Sequence, residues 1–130
     1  MSFIVSTLTN LQPSTPSDIV ERYRRGERLF FQLELPERAS FRGQDLSGAV
    51  FDECWMFWAD FTDAVLRGTS FLNSALKCCE FVRADLTDAD LRDSAIDGAT
   101  FTGARLKNVR LNGASAYGCT LSDADADKLI

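Results

Sequence analysis

Apolar residues recur at every fifth position along most of this chain. The series runs without a gap from residue 41 to residue 126. Its members, which we call centres, are Phe41, Leu46, Phe51, Met56, Phe61, Leu66, Phe71, Leu76, Phe81, Leu86, Leu91, Ile96, Phe101, Leu106, Leu111, Ala116, Leu121 and Ala126. An unbroken series of this length in a chain that is 45% hydrophobic indicates an internal repeat.

A period of five fits neither an α-helix nor a straight strand. Five helical residues advance by about 500°, so successive centres would point about 140° apart. Five strand residues reverse the side chain to the opposite face at each step. The centres can share one interior only if the backbone turns once per repeat, so the pattern predicts a coil with a corner every five residues.

The positions on either side of each centre favour such a coil. Two residues before the centre the side chain is small, with Gln44 and Val109 as the exceptions. Two residues after the centre stand seven of the eight glycines, and Asn or Asp occupies six further sites. Gly, Asn and Asp tolerate positive φ in tight turns, so we expect the corners at these positions.

Two adjacent copies show the repeat most clearly. Residues 84–88 read Ala-Asp-Leu-Thr-Asp and residues 89–93 read Ala-Asp-Leu-Arg-Asp. Over residues 39–128 the chain resembles the pentapeptide repeat family, whose pattern is A-(D/N)-L-x-x. The resemblance implies an all-β solenoid, a right-handed quadrilateral β-helix with four repeats per coil. Here that gives about four and a half coils, roughly 20 Å tall at strand spacing.

Coils of twenty residues also sort the centres by type. One column would hold Phe41, Phe61, Phe81 and Phe101, and the next would hold Leu46, Leu66, Leu86 and Leu106. Like side chains nest well at strand spacing. A coil of three repeats would mix Phe with Leu, so four repeats per coil is the better prediction.

Residues 1–38 differ from the repeat domain at 39–128, and we expect an N-terminal arm and a short capping α-helix there. Thr15 is placed as an N-cap, with Pro16 in the first turn and Asp18 closing a capping-box-like pair. Gly26 is a C-terminal stop signal. The helix would cover an open solenoid end, where apolar core and strand edges otherwise invite aggregation.

An irregular first rung is expected between this helix and the regular repeats. Its apolar residues would be Phe30, Phe31, Leu33 and Leu35. Pro36 stands where a centre is due, so the register should be lost there.

Charge and hydropathy narrow the class of protein. The net charge is −5, and residues 1–38 balance five acids with five bases, so the arginines of the predicted helix favour a solvated face over direct nucleic-acid binding. The chain has no positively charged start of the secretory kind and no run of 18 apolar residues, so we expect a cytoplasmic protein without a membrane span.

Candidate chemistry is sparse. Without histidine the chain has no Ser-His or Cys-His nucleophile pair, and no phosphate-loop pattern occurs, so we predict no enzyme activity, no cofactor and no small-molecule substrate. The four aspartates between residues 85 and 93 all occupy repeat or corner positions, so no metal site is predicted. The register leaves only the strained pair Cys78 and Cys79 within bridging distance, which predicts four free thiols.

The segment Trp55-Met56-Phe57-Trp58 departs most from the family pattern. Met56 is a centre, so Trp55 and Phe57 should point outward, while Trp58 occupies a corner. With Tyr117 further along the same wall, these residues form the candidate protein-interaction site. Two kinds of cover for this site are equally compatible with the sequence. One is the chain's own apolar start, Phe3 to Leu11, and the other is a second copy of the chain or a foreign partner.

Two functions remain. The first is a protein-binding module or scaffold with an unidentified protein partner, acting as a monomer or weak homodimer. The second is implied by the resemblance: some family members mimic DNA and occupy a topoisomerase. The repeats carry 14 acids and 9 bases, with Arg105, Lys107 and Arg110 interrupting the acidic surface, so the sequence favours the first.

Overall fold

The computed structural model describes residues 10–120, and these form a coiled chain with one short helix. Strand β1 spans Gln12–Pro13, helix α1 spans Pro16–Arg24 and strand β2 spans Leu33–Glu34. Strands β1 and β2 are parallel, with Gln12 opposite Leu33 and Pro13 opposite Glu34. Beyond β2 the backbone pairs through single parallel bridges.

The bridges show how the coils stack. From Ser40↔Asp60 to Thr100↔Thr120, every bridge joins residues twenty apart, and bridges start at every fifth residue. Each coil in this stretch therefore has twenty residues and four walls. We call the wall bridged through Trp55, Ala75 and Ala95 the tryptophan wall. The wall bridged through Val65 and Asp85 lies opposite it and is called the opposite wall.

The interior is built from ladders of stacked phenylalanines. Neighbouring rings of Phe41, Phe61, Phe81 and Phe101 are stacked, with centroids 5.1, 5.2 and 5.1 Å apart. Phe30, Phe51 and Phe71 form a second ladder at 5.3 and 5.5 Å. All seven side chains are fully buried. The predicted sorting of the centres into columns is confirmed here, because rings one coil apart lie at strand spacing.

The corners also lie where the sequence predicts them. The residue two after each centre has positive φ, as at Asp63 (61°) and Asn73 (56°). At most of these corners the next residue donates its amide to the centre's carbonyl, as Ala64 does to Phe61 at 3.0 Å. This combination defines a type II turn, in which Gly and Asn carry little steric cost. Trp58, at 62°, adopts the same conformation with a bulky side chain.

Small polar side chains add a second bond between coils. Ser74 Oγ donates to the Phe51 carbonyl at 2.6 Å, and Thr69 Oγ1 donates to the Leu46 carbonyl at 3.1 Å. Both hydroxyl groups belong to fully buried residues. Because each hydroxyl reaches the centre of the preceding coil, a Ser or Thr at an inward small position remains hydrogen-bonded inside the core.

The first coil is one residue longer than the others. Leu29↔Val50 and Glu34↔Trp55 are bridges across twenty-one residues. The extra residue falls near Pro36, which agrees with the predicted loss of register. Leu33 and Leu35 are buried as expected. Phe31 is the exception in the predicted first rung: it is 48% exposed, because Phe30 takes the inward position.

Helix α1 packs against the first coil. Thr15 is the N-cap and accepts a hydrogen bond from the Asp18 amide at 3.1 Å, as the sequence predicts. The Asp18 carboxylate accepts from the Ser14 hydroxyl at 2.9 Å, which differs from a standard capping box. Ile19 is fully buried, and Tyr23 Oη donates to the Ser47 carbonyl at 2.7 Å. These contacts fix the helix onto the core.

Candidate interaction surface

The tryptophan wall presents two aromatic side chains side by side. Met56 is fully buried, so the alternation of an extended segment turns Trp55 and Phe57 outward. Their ring centroids lie 4.8 Å apart with the planes tilted by 43°, and both side chains are partly exposed. The predicted outward direction of both residues is therefore confirmed, and the structure adds that the two rings contact each other.

Trp58 continues this surface around the corner. It is 41% exposed, and the Arg38 guanidinium lies over its ring, 4.4 Å from the centroid. Arg38 occupies the same corner one coil earlier, also with positive φ (63°). A cation at this distance over an indole face is attracted to the ring. We call Arg38, Trp55, Phe57 and Trp58 the aromatic edge.

Tyr117 lies apart from the aromatic edge. It is 88% exposed and stands three coils beyond Phe57, about 14 Å away at strand spacing. Lys77 and Asp97 occupy the two intervening coils in its column. Asp97 Oδ1 accepts from the Tyr117 amide and the Ser115 hydroxyl, both at 2.7 Å. The structure therefore brings together three of the four predicted site residues and leaves Tyr117 separate.

Glutamates surround the aromatic edge, although they are not among the site residues that the sequence predicts. Glu34 is the bridge partner of Trp55 in the preceding coil. Glu53 occupies the corner that leads into the tryptophan wall, with φ of 57°. Glu37 directly precedes Arg38, and Glu80 lines a shallow groove with Arg38, Trp58 and Cys78. The twenty-residue period is enough to place Glu80 next to this surface. Placing Glu34 also requires knowing that the first coil is one residue longer.

The opposite wall has a different character. A groove there is lined by polar and charged residues that include Arg67, Thr87, Arg105 and Lys107. Arg67 forms an ion pair with Asp85 at 3.0 Å. No residue between 98 and 120 is acidic, so Arg105, Lys107 and Arg110 make the last described coil locally basic.

Comparison with known proteins decides the family. The profile of the family described as Pentapeptide repeats matches in 8 copies over residues 54–93 and 96–128. The chain belongs to the pentapeptide repeat family. No curated protein sequence gives a significant match.

Solved pentapeptide repeat proteins share the architecture. One from the thylakoid lumen of Arabidopsis thaliana is 38% identical over 62% of this chain, with a TM-score of 0.62. The match spans 56% of that protein, so this chain covers little more than half its length. Rfr23 from the cyanobacterium Cyanothece aligns over 86% of this chain and 84% of its own, with 18% identity and a TM-score of 0.69. At that identity the likeness shows the fold alone.

Aspartates of this pentapeptide repeat protein stabilise its coils by accepting backbone hydrogen bonds. Asp60 and Asp85 each accept a hydrogen bond from the backbone amide two residues on, at 2.9 and 3.1 Å. Partial burial acts to raise the pKa of Asp85, but hydrogen bonds from Thr87 and Arg67 outweigh it and hold that pKa below its usual value. Burial is likewise outweighed at Asp60 by hydrogen bonds from Thr62 and Arg42, so its pKa is also lowered.

The thiols are structural in the same way. Cys54 and Cys79 are buried and donate to the carbonyls of Phe30 and Met56, each at 2.9 Å. Burial raises the pKa of Cys54 to about 12 and also raises the pKa of Cys79. Cys78 is exposed. Between residues 10 and 120, no three side chains of the metal-binding types come together as a site.

A membrane-spanning helix is not found in the described part of the chain. Its helix α1 has nine residues, fewer than the about 20 that a bilayer requires.

Proposed function

We propose that this pentapeptide repeat protein is a non-enzymatic protein-binding module whose aromatic edge contacts a protein partner. The observation that carries the proposal is the cluster formed on one coil by the exposed Trp58 and the partly exposed Trp55 and Phe57. Clustered, exposed aromatic groups on a folded surface commonly mark contact sites. Trp and Arg are also enriched among the residues that dominate binding energy between proteins.

The conformation of Trp58 supports a role on the surface. A non-glycine residue in the left-handed region costs about 1–2 kcal/mol, and most corners of the regular coils use Gly, Asn or Asp. Arg38, Glu53, Cys78 and Arg83 also depart from this rule, but Trp58 is the only aromatic residue among the described corners. The indole remains 41% exposed, so Trp58 is not held at this corner as a core side chain. A bulky side chain kept at a strained and exposed position favours a functional explanation.

The scaffold suits such a role because it is rigid. Backbone hydrogen bonds hold the tryptophan wall on both sides: Trp55 N donates to the Leu33 carbonyl at 2.9 Å, and Met56 N donates to the Ala75 carbonyl at 2.8 Å. Stacked phenylalanines fill the interior behind it. Side chains on a fixed backbone lose less conformational entropy on binding than side chains on a loop.

Mimicry of DNA is the alternative, and the surface charges favour it less. Duplex DNA presents closely spaced, uncompensated negative charges. Here Asp60, Asp63 and Asp85 form ion pairs with arginines at 3.0, 2.7 and 3.0 Å. The last described coil is basic. A supercoiling assay with a purified topoisomerase tests this alternative, which requires inhibition or protection at stoichiometric concentrations of the protein.

Site-specific photocrosslinking tests the proposed function. A benzophenone amino acid replaces the partly exposed Phe57 in one sample. In a matched control it replaces Tyr117, which is exposed and lies in the same column. We expect a discrete crosslinked protein band from position 57 in lysate and none from position 117. Equal labelling at both positions, or none at either, would contradict a contact at the aromatic edge.

The chain's own start requires a separate arm of this experiment. The alternative in which Phe3 to Leu11 fold back over the site falls almost wholly outside the described residues. Crosslinking within purified full-length protein, mapped by mass spectrometry, distinguishes an intramolecular cover from a partner. An adduct from position 57 to the first ten residues would replace the partner with the arm.

A further inference from the structure

Four glutamates around the aromatic edge make no ion pair within residues 10–120. They are Glu34, Glu37, Glu53 and Glu80. Three of them are exposed and Glu53 is half-buried. Glu34 pairs with Trp55 from the preceding coil, and Glu53 occupies the corner before Trp55. Glu37 precedes the corner residue Arg38, and Glu80 lies beside Trp58 on the adjacent wall.

Most other carboxylates within residues 10–120 have an ion-pair or hydrogen-bond partner. The only other glutamates, Glu21 and Glu27, pair with Arg25 and Arg22 of the helical region at 3.3 and 2.7 Å. Four aspartates of the walls and corners pair with arginines of their own or a neighbouring coil: these are Asp60, Asp63, Asp85 and Asp90. Asp45, Asp52, Asp88 and Asp97 form no ion pair, but each accepts a hydrogen bond from a backbone amide or a polar side chain. The glutamates without an ion pair, in contrast, are all found around the aromatic edge.

Two cations stand near these glutamates, and one already has a partner. Arg38 is stacked on Trp58. Lys77 follows Phe57 in its column, one coil further on. Four carboxylates against two cations leave the surface negative around three aromatic rings, of which Trp58 is exposed and Trp55 and Phe57 are partly exposed.

We infer that the partner presents arginine or lysine next to an apolar side chain. The inference rests on the proposed function, because it describes what the aromatic edge binds. The apolar side chain would pack against Trp55 and Phe57, whose rings can also attract a cation placed over a free face. The guanidinium or ammonium group would pair with the glutamates, and such charge-assisted bonds strengthen as the interface excludes water. Electrostatic complementarity of this kind also excludes acidic partners.

Selection from a displayed library of random peptides tests the inference without knowledge of the natural partner. Peptides of about twelve residues are selected on immobilised full-length protein and counted again on the variant Trp55→Ala/Phe57→Ala. We expect sequences that combine Arg or Lys with Trp, Phe or Leu to be enriched, and to be lost on the variant.

Charge variants separate the glutamates from the protein's general acidity. Glu34→Gln/Glu53→Gln removes two charges at the aromatic edge, and Asp45→Asn/Asp88→Asn removes two on the opposite wall and the corner beyond it. A selected basic peptide should lose about tenfold in affinity on the first variant and less than twofold on the second. Its affinity for wild type should also fall as salt is raised.

The outcomes distinguish the two proposals. Enriched peptides that depend on Trp55 and Phe57 but carry no Arg or Lys would overturn the inference and leave the proposed function standing. Equal losses on both charge variants would overturn the inference as well, because they indicate general attraction to an acidic protein. Failure to enrich any peptide that depends on the aromatic edge would overturn both.

Discussion

Truncation of Phe81 tests the stacked interior most directly. Its side chain is fully buried between Phe61 and Phe101, whose ring centroids lie 5.2 and 5.1 Å away, nearly parallel. Phe71 meets it edge-on at 6.1 Å. Phe81→Ala would remove one ring from the middle of the ladder and break all three aromatic contacts.

The expected loss of unfolding free energy is about 4–5 kcal/mol, the upper part of the range for buried phenylalanine. The backbone explains why. Phe81 N donates to the Thr100 carbonyl at 2.7 Å, and the Phe61 amide is bonded to the Glu80 carbonyl, also at 2.7 Å. Because these bonds hold the coils at fixed spacing, the walls cannot collapse into the space that the ring leaves.

Guanidinium denaturation followed by both circular dichroism and tryptophan fluorescence measures this loss. Both tryptophans lie in the coils before Phe81, so fluorescence reports that part of the solenoid, whereas circular dichroism reports the whole chain. Phe31→Ala is the matched control, since Phe31 is 48% exposed and its truncation should cost about 1 kcal/mol or less. A loss below about 1 kcal/mol for Phe81→Ala, or equal losses for the two variants, would refute the stacked-ladder account.

Three further predictions concern the thiols, a corner and the wall carboxylates. In denaturant without reductant, Ellman's reagent should titrate four thiols. In the native protein, the exposed Cys78 should react fast and the buried Cys54 and Cys79 slowly. Two or fewer thiols in the denatured sample would disprove the prediction that all four cysteines are free. Trp58→Gly should leave the free energy of unfolding unchanged or raise it by up to about 1 kcal/mol, because relief of strain at φ 62° opposes the loss of the Arg38 contact. A loss above about 2 kcal/mol would assign Trp58 to the core instead of the surface. The pKa of Asp85 is lower in the folded protein than in the unfolded chain, where it is about 3.9. The carboxylate therefore stabilises the fold above that pH, and the contribution disappears as the pH falls through the folded pKa. Asp85→Asn should flatten the fall in stability below about pH 4, and an unchanged fall would count against the hydrogen bonds from Arg67 and Thr87.

The sequence predicts the interior well because the interior is periodic. Each centre has one direction in which its side chain is shielded, so Phe61 and Phe81 can be placed in one column from spacing alone. The corner at Asp63 follows from the same count, since only one position per repeat needs positive φ. Once the repeat length and the number of repeats per coil are known, the position of every inward side chain follows from its place in the repeat.

The outer surface is predicted less completely, for two physical reasons. Outward side chains are not fixed by packing, so spacing places Trp55 and Phe57 outside but does not show that their rings touch. The longer first coil is the second reason. It adds a residue between Glu34 and Ser40, and without its position the pairing of Glu34 with Trp55, twenty-one residues further on, could not be derived.

The twenty-residue register has a mechanical consequence. Each coil is bonded only to its neighbours through parallel bridges, so a force applied to the two chain ends would peel the solenoid one coil at a time. Each released coil would lengthen the chain by about 65 Å, which is twenty extended residues less one strand spacing. Pulling in an optical trap should therefore give a regular sawtooth, with a slightly longer step for the first coil.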